Sequence, residues 1–405
     1  MNGPAVPWSG QPVAVVHDWF QGYHGSERVV EVLARDVLAE GSRVDVFTFH
    51  AARELMPPDL ERRIVRESGL SRLPGMRQVG HDPGRWRYLL PYMPHYFRSL
   101  KLDEYGLVVI SSHACALNAN PPADVPCVCY CHTPMRYAWL GDTDRDRLSG
   151  VRAGALRGLS GWLRRRDRAA AQRPCRFAAN STAVRERIRV FYGREAEVVH
   201  PPVDLSDLRS LDDGSRGEFL WVGRLVPYKR PELVVEAFRG LPHRLTMVGI
   251  GPLEESIRAR LPENVALRGW ITREELAGLY GRASGFVHVG EEDFGMTMVE
   301  ALAAGSPVIA LDAGGARDIV RDGIDGVLIA EASVDRLRTA VERAASIDWD
   351  AGSLAERARK FSSEGFTSRM RALLSDAIAS REGRVRARGR RPTRTTDSVS
   401  RRWGP

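Results

Sequence analysis

Strand-length apolar runs alternate with helical patterns along almost the whole chain, and this alternation limits the fold more than any other feature. "PVAVVH" is followed by "SERVVEVLARDVLAEG", which reads as an N-capped helix stopped by Gly41. "RVDVFTF", "LVVISS", "VPCVCYC", "RFAANS" and "AEVVHPP" continue the series. Runs of this kind, spaced by helices, build parallel sheets with crossover connections. "HPPVD" at 200–204 breaks the pattern, and the polar "LSDLRSLDDGSRG" after it reads as a linker. A second series starts at Glu218 with "EFLWVGR" and runs through "HRLTMVG", "NVALRGW", "GFVHVG" and "PVIAL" to helices near 334–346 and 365–380. The expected fold is α/β, with two Rossmann-like domains, 1–202 and 203–380, each with its own sheet. Ligands of such sheets bind beyond the carboxyl ends of the strands, so two facing domains place a site in a central cleft.

Composition narrows the function classes. The chain has 405 residues, enough for two or three domains at roughly 150 residues each. Its net charge of +8 is uneven: residues 381–405 hold nine Arg against one Glu and one Asp, a net +7, which leaves the body near +1. General nucleic-acid binding is therefore not implied. The tail itself, rich in Arg, Gly, Thr and Ser without apolar periodicity, is expected to be disordered. No run reaches the ~18 apolar residues of a membrane span, and "MNGPAVPWSGQP" lacks the basic flank and apolar core of a signal peptide. Five Cys, three of them in "CVCYC", do not make a disulfide framework. Alternation puts Cys127, Cys129 and Cys131 on one strand face, where collinear ligands fail to wrap a metal tetrahedrally. A buried, reduced strand face and a cytoplasmic location are the expectation.

Two loops beyond strand ends carry chemistry. In "LWVGRLVPYKRPELVVEAF" a strand ends at Gly223 and Arg224, and Lys229 follows near a helix start. Glycine lets backbone approach a ligand, Arg offers a planar fork for phosphate and Lys a mobile charge. In "EEDFGMTMVE" the amides around Phe294, Gly295, Met296 and Thr297 open a helix, a ready anion site. Glu292 lies before those amides and Glu300 about a turn beyond them. Acids flanking a phosphate site suit hydroxyl groups on either side of it, which is the layout of a nucleoside diphosphate sugar. "GDTDRD" holds Asp142 and Asp144 at a spacing that some metal-dependent enzymes use, but no apolar strand precedes it, so it reads as a solvated loop. No metal and no cofactor are expected.

Glu292 and Glu300 around "FGMT", "VGRLVPYKR", "ALAAGSPVIA" and "GGARDIVRDGIDGVLI", together with "HDWFQGYHGSERVVEVLA", "SSHACALNA", "YCHTPMRYAW" and "RFAANSTAVRERIRVFYGREAEVVHPPVD", resemble the retaining family 4 glycosyltransferases of GT-B fold. In appearance they come nearest to bacterial mannosyltransferases that use GDP-mannose. The resemblance spans roughly residues 12–375. It implies that Arg224 and Lys229 hold the donor diphosphate, that Glu292 faces the donor sugar and that Glu300 binds the ribose. It implies that His113 stands near the donor sugar and the attacking hydroxyl, with Gly25 and Gly223 approaching the donor. Asp18, His132 and Arg136 are candidates for the acceptor side. Many relatives carry paired glycines where this chain has His24-Gly25-Ser26, a departure that narrows the approach to phosphate.

The expected activity is a metal-independent, retaining transfer of a sugar, mannose first, from a nucleotide-sugar donor to a hydroxyl acceptor. That acceptor is a glycan, a lipid-linked saccharide or a small molecule. A UDP-sugar-dependent transferase, a nucleotide-sugar epimerase and a non-catalytic nucleotide-sugar-binding protein are the alternatives. "LRGLSGWLRRRDRAAA" sets Trp162 and leucines beside Arg164, Arg165, Arg166 and Arg168. With the Arg-rich tail, it suggests peripheral contact with an anionic membrane surface.

Overall fold

A computed structural model describes residues 6–72, 89–139, 151–209 and 217–389. The Asp142–Asp144 loop, most of the expected linker (210–216) and the tail from 390 onward lie outside the described residues. The first sheet has seven parallel strands: β1 (Val13–His17), β2 (Val44–Thr48), β3 (Ile64–Arg66), β4 (Leu107–Ser112), β5 (Cys127–Cys131), β6 (Arg176–Ala179) and β7 (Glu197–Val198). The second has six: β8 (Glu218–Val222), β9 (Arg244–Val248), β10 (Val265–Arg268), β11 (Ala283–His288), β12 (Val308–Leu311) and β13 (Gly326–Ile329). The strand orders are 3-2-1-4-5-6-7 and 10-9-8-11-12-13, the same doubly wound order twice over.

Strands buried on both faces read as unbroken apolar runs, and β1, β2, β4 and β5 are buried along their whole length. Period-two alternation sorts their side chains into two cores. Ala14, Val16, Phe47, Val108 and Ile110 share one face with Cys127, Cys129 and Cys131. Val13, Val15, Val46, Val109, Val128 and Tyr130 share the other. The cysteines thus form a reduced apolar strand face, as their spacing indicates.

The last helix, Ser363–Gly389, extends nine residues beyond the expected boundary at 380, so the irregular tail expected from Arg381 does not begin there. Its start belongs to the second domain in sequence, yet Phe366, Met370, Leu373, Leu374 and Ala377 complete the second core of the first domain. Arg371 anchors the same helix, donating to the Asp36 carbonyl at 2.7 Å and pairing with Glu40 at 2.9 Å. The chain therefore crosses between domains twice. At the first crossing Val203 donates to the Phe361 carbonyl at 3.0 Å, beside the second. The helix Val151–Ala170 buries Leu163 and packs Trp162 against the first core, with the Arg166 guanidinium 4.8 Å above the Trp162 ring. Trp162 is committed to the domain, while Arg165 and Arg168 stay exposed.

Polar residues nonetheless end the strands of the first sheet inside the protein. His17 closes β1 and His132 follows β5; Ser111 of β4 joins them, 3.1 Å from His17 Nδ1 and 2.8 Å from His132 Nε2 through its hydroxyl. Burial lowers both imidazoles from 6.5 to about 3, with the neighbouring histidines adding to the effect.

Two outcomes follow from this packing. Leu374 is fully buried, so Leu374→Ala should cost about 2–5 kcal/mol, measured by urea unfolding of the full chain. The histidine effect has a definite sign. The folded protein refuses protons that the unfolded chain accepts below pH 6.5, so each ring contributes a loss of stability as pH falls from about 6.5 towards about 3. The slope approaches about 1.4 kcal/mol per pH unit per ring. His132→Asn should flatten the stability profile between pH 6 and pH 4.5 relative to the parent protein.

Candidate active site

Asp18 follows β1 directly and is fully buried. Its Oδ2 accepts the backbone amides of His113 (2.7 Å) and Ala114 (2.9 Å), and its Oδ1 those of Cys115 (2.5 Å) and Ala116 (2.6 Å). Four donors satisfy the carboxylate and fix the turn that presents His113. Asp18 thus fixes the backbone of this turn, at the first-domain edge where an acceptor-side role is expected of it. His113 stands edge-on to Trp19 at 4.7 Å, with its Nδ1 3.6 Å from Asp18 Oδ2. It also lies 5.6 Å from His17 and 6.0 Å from His132, between ring centroids. His17 was not among the expected site residues; the clue was its place at a strand end next to Asp18.

The helix Gly25–Val32 starts at the same edge. Glu27 caps it by accepting the His24 amide at 3.1 Å. The His24 ring folds over Gly22, where a Cβ would come within 2.8 Å of Nε2. Thus the imidazole in the expected glycine position is packed on a glycine of its own.

In the second domain, the loops after β8 and β11 meet. Lys229 Nζ pairs with Glu292 Oε1 at 2.5 Å, and His288 Nε2 lies 3.9 Å from the same oxygen. Burial alone would push the Glu292 carboxyl up, but His288 and Lys229 together bring it down to about 2, so it is ionised at neutral pH. Burial likewise opposes the charge on Lys229, and Glu292 more than restores it. Gly223 leaves the room: a Cβ there would lie 3.1 Å from Lys229 Cδ. Arg224 is exposed and makes no ion pair among the described residues.

Gly295 opens the helix Met296–Ala303 at φ 98°, a left-handed conformation that glycine adopts without strain. Phe294 turns its ring into the core, 5.4 Å from His200 and 5.6 Å from Phe361, so only its backbone remains for a donor. The Thr297 hydroxyl is buried without a hydrogen-bond partner among the described residues. Glu300 accepts from the Tyr280 hydroxyl at 3.1 Å and lies 3.8 Å from Arg28 of the first domain; burial raises its carboxyl despite both. Gly314 and Gly315 back the acidic loop. The Gly315 amide donates to the Glu292 carbonyl at 3.0 Å, and a Cβ on Gly314 would lie 2.1 Å from that oxygen.

The two strand-end edges face each other. A Cβ on Gly25 would lie 3.0 Å from Met296 Sδ, and Arg28 reaches towards Glu300. Arg136 pairs with Asp293 at 3.0 Å. This places Arg136 at the domain junction, while His132 Nε2 lies 2.8 Å from the buried Ser111 hydroxyl. Lys229, Glu292, Gly295, Thr297 and Glu300 thus gather on the second domain, and the contacts of Gly25, Arg28 and Arg136 bring the edge of the first domain against them.

Both halves of the chain match known families. Residues 23–207 match the Glycosyltransferase Family 4 domain, and residues 209–362 match the domain described as Glycosyl transferases group 1. Curated relatives include a D-inositol 3-phosphate glycosyltransferase from Mycobacterium marinum, 32% identical over 49% of this chain and 50% of the relative. Another, of the same name, comes from Rhodococcus erythropolis and is 33% identical over 38% of this chain and 42% of the relative. The chain thus spans about half the length of the curated relatives it matches. Among solved structures, sucrose-phosphate synthase from Thermosynechococcus elongatus superposes with a TM-score of 0.71 at 18% identity, over 91% of this chain and 100% of that one. Anabaena HepE in complex with UDP gives a TM-score of 0.66 at 16% identity, over 90% of this chain and 100% of that one. At such identities the likeness speaks to fold. The first half of the chain is thus similar to a family 4 glycosyltransferase domain and the second to a group 1 glycosyltransferase domain, on a GT-B fold.

Proposed function

We propose that the protein transfers a sugar from a nucleotide-sugar donor to a hydroxyl acceptor, with GDP-mannose as the donor. The observation that carries this reading is the Lys229–Glu292 pair beside the left-handed Gly295, with Glu300 further along the same helix. In it Lys229 and Arg224 take the diphosphate at the helix amides, Glu300 the ribose and Glu292 the sugar. The donor's bond from the anomeric carbon to phosphate oxygen breaks, and the acceptor oxygen bonds to the anomeric carbon on the same face. The acceptor proton passes to the departing phosphate oxygen. Charge growing on that phosphate is stabilised by Arg224, Lys229 and the amides, and His113 flanks the attacking hydroxyl. A UDP-sugar is the second reading, favoured by the UDP bound to Anabaena HepE. If the acceptor is carried by a lipid, the exposed Arg165 and Arg168 supply the contact with an anionic surface. Among the described residues, no helix is long and apolar enough to cross a membrane.

Thermal shift with GDP- and UDP-sugars, followed by mass spectrometry of products, tests the reading. Binding without transfer or slow donor hydrolysis would leave a nucleotide-sugar-binding protein, and an altered donor formed without acceptor an epimerase. Arg224→Ala and Lys229→Ala should each lower the transfer rate by ~10²–10³ in protein that still melts cooperatively. Near-normal turnover in either variant removes that residue from the leaving-group site. Glu300→Gln should weaken the affinity for free GDP or UDP. Glu292→Gln should leave that affinity nearly intact and depress kcat, and equal losses of affinity in both would refute the division of roles.

A further inference from the structure

The acids of Glu291-Glu292-Asp293 point in alternating directions. Glu292 meets Lys229 of its own domain, whereas its two neighbours reach the other domain. Arg136, just beyond β5, places Nη2 3.0 Å and Nε 3.2 Å from Asp293 Oδ2. Arg187, on the helix Thr182–Tyr192 beyond β6, donates to Asp293 Oδ1 and to Glu291 Oε1, the latter at 2.8 Å. Two guanidiniums from separate elements thus converge on one carboxylate. The Arg187 and Asp293 side chains are only 14% and 18% exposed, so water screens them weakly. Glu291, at 54%, is a rim contact.

Asp293 is one peptide unit from Glu292, and the Glu292 carbonyl is held from behind by the Gly315 amide. A loop fixed at its back and pulled at Asp293 has little freedom left at Glu292. We propose that Asp293, gripped by Arg136 and Arg187, is a positioning residue: it couples closure of the two domains to the placement of Glu292. The kinetic consequence rests on the transfer reading above, whereas closure itself does not.

The test uses the full chain and the variants Asp293→Arg, Arg187→Glu, their double reversal and the milder Asp293→Asn. Small-angle scattering without ligand reports closure, titration reports affinity for GDP and UDP, and product formation reports turnover. Each single reversal should enlarge the radius of gyration and lower kcat by roughly tenfold or more, while nucleoside diphosphate affinity changes less than about threefold. The double reversal restores the 187–293 pair but sets like charges against Arg136 and Glu291, so it should recover the compact form and the turnover only in part. Asp293→Asn should fall between the parent and the reversals, and decides the matter if the reversals fail to fold. Compact single variants with normal kcat would overturn the proposal, as would an Asp293→Asn variant indistinguishable from the parent in both radius of gyration and kcat. Should the protein transfer no sugar at all, scattering alone still decides whether Asp293 governs closure.

Discussion

Burying a carboxylate costs several kcal/mol unless hydrogen bonds replace its water, and Asp18 meets that cost with four backbone amides from one short stretch, His113–Ala116. Much of the first domain's half of the cleft depends on this exchange. The amides belong to the turn that leaves β4, so satisfying Asp18 dictates where that turn runs. His113 starts the turn and has its backbone fixed by the same bond that Asp18 needs. Replacing Asp18 by a residue of equal size without two acceptor oxygens would leave amides orphaned and release the turn. Position and stability are thus one interaction seen from two sides.

The second domain solves the converse problem. Its charges are held by one another rather than by backbone: Lys229 by Glu292, Glu300 by Tyr280 with Arg28 nearby, Asp293 by Arg136 and Arg187. Such pairs exchange partners more readily than a carboxylate sealed among amides. Under the function proposed here, an incoming diphosphate would compete with Glu292 for Lys229, and a ribose hydroxyl would take its place beside Glu300. The site is therefore rigid where the backbone must be fixed and exchangeable where ligand must enter.

Most of the fold was legible because parallel strands covered on both faces must be apolar throughout, and runs such as "VAVVH" and "CVCYC" have few other uses. The candidate loops of the second domain were legible for a related reason, since Gly295 and Gly223 mark places where backbone has to bend or approach. What escaped was set by tertiary contact. The helical path through Gly389 could not be read from an Arg-rich composition. Arg136 looked like a free cationic ligand because its partner, Asp293, lies 157 residues away. Phe294 looked like part of the donor loop because nothing local showed its ring between His200 and Phe361.

That last contact joins the candidate site to the crossings of the chain. His200 stacks on Phe294 and meets Phe361 at 5.1 Å, and the two residues flank the two crossings of the chain. His200 also contacts the Asn180 carbonyl through Nδ1 at 3.1 Å, tying the cluster to the end of β6. A rotation of one domain on the other would have to move Val203 and Phe361 together, since a backbone hydrogen bond links them. Phe294 follows, and with it the loop of Glu292 and Asp293. The acidic loop is thus held from two sides, by arginines of the first domain and by an aromatic cluster beside the crossings of the chain. The coupling proposed between closure and the placement of Glu292 would act through both sets of contacts.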